Sequence, residues 1–383
     1  MSRRQRWLMA TLVGVALATV LSLIAVGGQD LVATDGTIFV DADATGANNG
    51  ASWEDAYTDL QPALDGAVVG DQIWVAKGTY TPTHEFSPGD PRSATFQLKN
   101  QVALYGGFDP SVGDVGWEDR DWVSSVTMLS GDIGIVGDPG DNSYHVLYHP
   151  LELALDGSAI LDGFTVSGGN ADADWPNYSG GGMFNDGASP AVINCTFANN
   201  SASQRGGGMY NFFASPKVTN CTFSGNSANL GGGVHNNDLA FPEVTNCTFS
   251  GNSAYLGGGM CNYHSSPALI NCILWGDSPD EIVNAGDEEP VVAYSDIQGS
   301  YSGSGNLDAD PLFADPGSGD YHLGPGSPCI DAGTNDAPNL PDCDFEGDRR
   351  VLDGNRDGTA VVDMGVDEAY GYILYLPLLF RSY

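Results

Sequence analysis

The stretch Gly206-Gly207-Gly208-Met209-Tyr210-Asn211, followed by Pro216-Lys217-Val218-Thr219-Asn220-Cys221-Thr222-Phe223-Ser224-Gly225-Asn226, is one unit of a pattern that occurs four times. The triple glycine starts at Gly180, Gly206, Gly231 and Gly257, with spacings of 26, 25 and 26 residues. The Asn-Cys pair stands at Asn194-Cys195, Asn220-Cys221, Asn246-Cys247 and Asn271-Cys272, with spacings of 26, 26 and 25. A fixed period of this length marks stacked units, each burying its apolar face only against its neighbours. The unit has too few apolar residues in a row for a pair of helices. Residues 218–223 are instead β-rich and bounded by turn residues. Strict alternation fails inside them, because Val218 and Phe223 have opposite parity although both are apolar. A corner at Asn220 removes the conflict: Val218 ends one strand, and Cys221 and Phe223 face inward on the next. Three short strands and three turns per unit describe the coil of an all-β fold, a right-handed parallel β-helix. The chain length allows roughly ten such coils at the normal strand spacing of about 4.8 Å.

Stacking at that spacing places equal positions above one another. The expected ladders are Asn194/Asn220/Asn246/Asn271, Cys195/Cys221/Cys247/Cys272 and Phe197/Phe223/Phe249. An asparagine amide both donates and accepts, so a column of them satisfies the polar groups of a buried corner. The four cysteines read as a column of free thiols packed as small apolar residues, since in-register side chains rarely reach a disulfide dihedral. Four thiolates in a row also cannot form the tetrahedron of a zinc site.

The 383 residues carry 49 acidic and 13 basic side chains, a formal charge of −36. Thirty-nine of the acids are Asp, a turn former, and only ten are Glu. Such a balance excludes a nucleic-acid binder, which needs clustered Lys and Arg, and a protein docking on anionic lipid. A hydrophobic share of 42% excludes a disordered chain. Arg3, Arg4 and Arg6 precede an uncharged run over residues 7–26. Residues 1–27 therefore read as a signal peptide or, uncleaved, as an amino-terminal anchor and the chain's one membrane contact. Either places the protein outside the cytoplasm, secreted or at the cell surface.

Phe197 to Asn200, Phe223 to Asn226 and Phe249 to Asn252 form an F-x-x-N element, and Gly206-Gly207-Gly208-Met209 with its equivalents forms a glycine-rich one. In these elements the chain resembles the pectin lyase-like β-helix superfamily, and within it proteins with polymorphic outer-membrane protein repeats. The upstream segments Gln72-Ile73-Trp74-Val75-Ala76 and Ile160-Leu161-Asp162-Gly163-Phe164 are similar to first coils of that family. The resemblance implies a β-helix over residues 36–305, clearest at 180–277. Residues 306–370 are similar to the choice-of-anchor module that closes such solenoids, and residues 371–383 form an apolar tail.

Function is less determined. Many proteins of this superfamily cleave acidic polysaccharides, and lyases of the kind need an Arg or Lys base while hydrolases need paired carboxylates. Across the repeats the basic residues are Arg205 and Lys217, and no adjacent Asp-Asp pair occurs there. His145 reads as structural. Aromatic residues recur after each triple glycine, and Phe184, Tyr210, His235 and Tyr263 are the candidate ligand-binding stripe. The stripe would hold sugar rings or a partner's surface; the alternative is that these rings shield the sheet beneath a loop around residues 172–179. Asp353, Asn355 and Asp357, with Asp363 further on, share part of the spacing of a Ca²⁺ loop, against plain Asx turns. Cys329 and Cys343, in an exported region, are the candidate disulfide. The expectation is an exported protein for adhesion or carbohydrate contact, its partner a polysaccharide or cell-surface glycan. The alternatives are a polysaccharide lyase or glycoside hydrolase, and a structural envelope protein.

Overall fold

The computed structural model describes residues 36–113 and 115–369; the expected export segment and the apolar tail lie outside the described residues. Among the described residues the strands stack into three long parallel sheets of nine, eight and six strands, a right-handed parallel β-helix. The nine-stranded sheet begins at Thr37–Val40 and ends at Val291–Ala293. Its strands fall slightly short of ten because residues 81–100, 109–126 and 131–146 are spent largely on loops rather than further coils. The helix Leu60–Gly66, capped by the Asp59 carboxylate, packs Leu60, Ala63 and Leu64 into the core beside the first strands.

Pairing is residue on residue. Val192, Val218, Val244 and Leu269 stack along the nine-stranded sheet. Phe197, Phe223 and Phe249 stack along the eight-stranded one, with centroids 5.0 and 4.6 Å apart and planes within 9°. Met183, Met209, Val234 and Met260 line the six-stranded one. All are buried in one continuous core.

The corner between the nine- and eight-stranded sheets explains the broken alternation. Asn194, Asn220, Asn246 and Asn271 have φ of 50°, 50°, 51° and 55°, the left-handed region that Asn tolerates better than other residues with a Cβ. The cysteine column follows as free thiols. The N–H groups of Cys195 and Cys221 donate to the Sγ of the next cysteine at 3.4 Å. Ser295 Oγ takes that place for Cys272, at 3.0 Å. At the glycine corner Gly206 has φ of 60°, and a Cβ on Gly207 would stand 2.6 Å from the carbonyl of Gly232 in the next coil.

Amide columns extend further than the repeat pattern suggested. Asn185, Asn211, Asn236, Asn262 and Asn284 donate in sequence at 2.8 to 2.9 Å. His149 donates into one end of this column and Asn284 donates to the hydroxyl of Tyr301 at the other. A second column runs Asn200, Asn226, Asn252, and ends on the carboxyl of Asp277 at 2.9 Å. Asp277 is buried with Glu281. Burial, and then the charge of Asp277, push Glu281 up to about 10, so the pair holds a proton at neutral pH.

The carboxyl-terminal module departs from the expected end cap. The last coil is covered by residues up to Leu307, which pairs with Asp296. The rest folds back along the asparagine corner, where spare amide groups bind its loop carbonyls. Asn271 exchanges hydrogen bonds with Thr334. Asn246 donates to the carbonyl of Asp363, and Asn220 to that of Cys343. Trp122 Nε1 donates to the carbonyl of Phe345 at 2.6 Å. The corner amides therefore link to each other only in part, Asn220 to Asn194 at 3.2 Å and Asn271 to Asn246 at 3.5 Å. Inside the module Arg350 is fully buried, donating to the carbonyls of Val366 and Gly365 among the carboxylates of Glu368, Asp344, Asp363 and Asp367.

Two outcomes are expected. Asn220→Ala removes the donor to Cys343 and places an ordinary Cβ in the left-handed corner, costs of about 1–3 and 1–2 kcal/mol respectively. Asn220→Gly loses only the amide. Denaturant unfolding should rank wild type above Asn220→Gly, and Asn220→Gly above Asn220→Ala. For Glu281, the folded state keeps a proton that the unfolded chain releases above the ordinary carboxyl value of about 4.3. Its contribution is complete in acid and is lost as pH rises toward the folded value, a slope of about 1.4 kcal/mol per pH unit for one proton. Glu281→Gln should flatten the fall in urea midpoint between pH 5 and pH 9.

Candidate functional site

The outer side of the six-stranded sheet carries the expected stripe, and the register is as expected: Phe184, Tyr210, His235 and Cys261 pair in one column. Their accessibility is not. Phe184, Tyr210 and His235 are completely buried. The loop over residues 172–179 turns back on the sheet and lays Trp175 against Phe184 at 5.6 Å and Phe212 at 5.9 Å. Tyr148 closes the other side of Phe184 at 5.2 Å. Burial pushes His235 down to about 3, so it is a neutral ring packed on Tyr210. These three residues are the floor of the face and cannot meet a ligand. Of the four candidates only Tyr263 is open, at 44% exposure.

The accessible rings stand one column over. Asp186, Phe212, Asn237 and Tyr263 pair on successive coils. Phe213 follows at the corner, where its φ of 51° turns the ring outward to 51% exposure. Trp175 adds an indole that is 48% exposed. Phe212 and Phe213 are 4.4 Å apart, as are Tyr263 and His264. Between the rings, Asn237 Nδ2 donates to Asp238 at 3.0 Å, and His264 lies 3.4 Å from Glu288. Burial, and then Glu152, raise the carboxyl of Asp186 above its ordinary value. The result is a row of ring faces beside the carboxylates of Asp186 and Asp238, with the Asn237 amide buried beneath, donating to Tyr210 and Asp238. Phe212, Phe213 and Tyr263 were legible from the repeat. Trp175 was not, because its loop has no counterpart in the other units.

Several charged and titratable groups elsewhere on the solenoid are held by partners. Asp162 is paired with Arg120 at 2.8 Å and accepts from Asn194. Lys217 faces Glu243 across one coil at 3.5 Å. His145 bonds the carbonyl of Gly180, and burial pushes it down to about 4.

The module contains the other expected sites, with different outcomes. Asp353 accepts the N–H groups of Asp357 and Gly358, Asn355 accepts that of Asp357, and Asp357 accepts that of Thr359. These are nested Asx turns. Asp363 is buried, its two oxygens accepting from Asp331 and Ala369, and Asp331 in turn accepts the N–H groups of Gly354 and Asn355. Cys329 and Cys343 are unbridged. Cys329 donates to Asp296 in the last coil, whereas Cys343 is tied to Asn220, at least two coils earlier. That separation, about 10 Å or more at the strand spacing, exceeds disulfide reach.

Among the described residues one other group brings metal-ligating atoms together, His322, Glu346 and Asp367, within 4.8 Å of one another. It lies in the wall of a cavity of about 290 Å³ between the module and the eight-stranded sheet, shared with Thr196, Thr222 and Ser224. His322 Nδ1 is 2.6 Å from Asp320 and Nε2 is 2.8 Å from Glu346. Burial opposes its charge, but Asp320, Asp367 and Glu346 outweigh it and raise the imidazole to about 9. His322 and Asp367 are 45 positions apart, which leaves no local spacing to read.

A family model described as a right handed beta helix region matches residues 142–274. A comparison with curated proteins finds no match. Among solved structures the chain is similar to a rhamnogalacturonan lyase, with a TM-score of 0.44 and 13% identity over 68% of this chain and 67% of that one. It is similar to the pectate lyase Pel9A, with a TM-score of 0.44 and 13% identity over 89% and 98%. It is also similar to the pectin methylesterase from Aspergillus niger, with a TM-score of 0.32 and 14% identity over 72% and 87%. The matched residues 142–274 contain all four Asn-Cys repeats, and their fold is that of a right-handed parallel β-helix.

Proposed function

We propose that this protein is an exported, cell-surface or secreted β-helix whose outer aromatic face contacts carbohydrate, as an adhesion or glycan-contact surface rather than as a catalyst. The observation that carries this reading is the row formed by Trp175, Phe212, Phe213 and Tyr263, with the carboxylates of Asp186 and Asp238 beside the rings. Aromatic faces take up the C–H faces of pyranose rings, while carboxylates bind the hydroxyl groups around them. The rigid parallel sheet below fixes the ring spacing at multiples of the coil repeat, so a ligand with its own repeat matches it. Export rests on the arginines and the uncharged run over residues 1–27. The F-x-x-N and glycine elements fit proteins with polymorphic outer-membrane protein repeats.

Glycan-array binding of the wild type and of the Phe213→Ala/Tyr263→Ala variant tests the reading. Both rings are exposed, so the melting temperature should stay within a few degrees. Each ring contributes about 0.5–1.5 kcal/mol beyond its buried area, and loss of both should weaken binding roughly ten- to hundredfold. Unchanged binding by a folded double variant sinks the aromatic face as the contact. Release of reducing ends or unsaturated products from an acidic glycan would replace contact by catalysis.

A further inference from the structure

We propose that His322, Glu346 and Asp367 form a binding site for a divalent first-row transition ion, with Zn²⁺ as the representative. The ligand atoms come from three segments that share no local motif: the strand Asp320–Leu323, the loop around Glu346, and the segment before Ala369. Each is oriented by a partner outside the group. Asp320 Oδ1 takes Nδ1 of His322 at 2.6 Å, which leaves Nε2 toward Glu346 and Asp367. A carboxylate on the far nitrogen is the arrangement that fixes the tautomer and raises the basicity of metal-ligating histidines. Asp367 is only 8% exposed, and the Leu323 N–H on its Oδ2 at 2.8 Å holds the carboxylate in place. Glu346 sits in a turn closed by Asp344 Oδ1, which accepts the N–H groups of both Glu346 and Asp348 at 2.9 Å.

The donor set selects the ion. One imidazole and two carboxylates suit zinc and its neighbours, whereas Ca²⁺ takes six to eight oxygens and Mg²⁺ keeps much of its water. Three protein ligands leave a coordination position open. That position opens on the cavity of about 290 Å³ whose wall also includes Thr196, Thr222 and Ser224. The ion takes the place of the proton that Nε2 donates to Glu346, so that proton is released on binding. It joins the Asp320–Leu323 strand to the loops on either side of Arg350 and stabilises the module as a whole. The site is independent of the aromatic face.

The test uses the full chain carrying Cys343→Ser, which removes the exposed thiol as a competing zinc ligand. Calorimetric titration with ZnCl₂ should show one ion per chain at micromolar affinity or tighter, with a rise in melting temperature. Adding His322→Gln should abolish both effects, with Glu346→Gln as the second variant if the first does not fold. Asp320→Asn leaves the three ligands in place and should weaken binding ten- to hundredfold, as removing an outer carboxylate partner does. Millimolar Ca²⁺ should not displace the zinc. The proposal is overturned by absence of zinc binding in the Cys343→Ser protein, or by equal affinity in its folded His322→Gln derivative.

Discussion

Everything in this molecule follows from stacking parallel strands in register at one spacing. Each side chain meets the equivalent residue of the coil above and below, so each coil position must hold something that tolerates its own likeness. Valine and leucine do so by packing, and phenylalanine by parallel stacking. Among polar side chains asparagine is suited best, because its amide donates on one side and accepts on the other. The columns through Asn211 and Asn226 are buried with every link made, which avoids about 1–3 kcal/mol for each unpaired group. A column of donors and acceptors must still end somewhere. The unusual groups of the solenoid are found at those ends: buried His149 and half-buried Tyr301 on one column, the protonated pair Asp277 and Glu281 on another.

The acidic composition has a second physical role in the module after the last coil. That region has little regular secondary structure, so its backbone N–H groups need other acceptors. Asp331, Asp344, Asp353 and Asp363 provide them, each binding two or more N–H groups. Arg350 is the buried cation about which several of these carboxylates gather. The aspartates hold the module together locally, and the charge they bring is largely a by-product of that work.

What the sequence made legible was whatever the period repeats. The corner at Asn220 was visible as a break in parity between Val218 and Phe223, and the left-handed φ confirms it. The thiol column and the phenylalanine stack were visible for the same reason. The burial of Phe184, Tyr210 and His235 was not, because the loop that carries Trp175 belongs to a single coil and leaves no periodic trace. The accessible face therefore lies one column from where the pattern placed it. The path of the module was equally hidden. Its contacts join Asn246 to Asp363 and Trp122 to Phe345, partners separated by 117 and 223 residues. Separation in sequence likewise hides the grouping of His322, Glu346 and Asp367, whereas closeness in sequence makes Cys329 and Cys343 look like partners.

The folding back of the module bears on how such a molecule comes apart. An array held only by neighbour contacts frays coil by coil from either end, and each lost coil exposes the next. Here the segment after the final coil is hydrogen-bonded to the corners of three repeats and reaches Trp122, whose backbone lies against Gly107 near the start of the solenoid. The last coils cannot peel away while that strap is attached, and detaching it breaks contacts along most of the length at once. The last coils are thereby tied, through the module, to the loop that carries Trp122 and to the coil on which that loop rests.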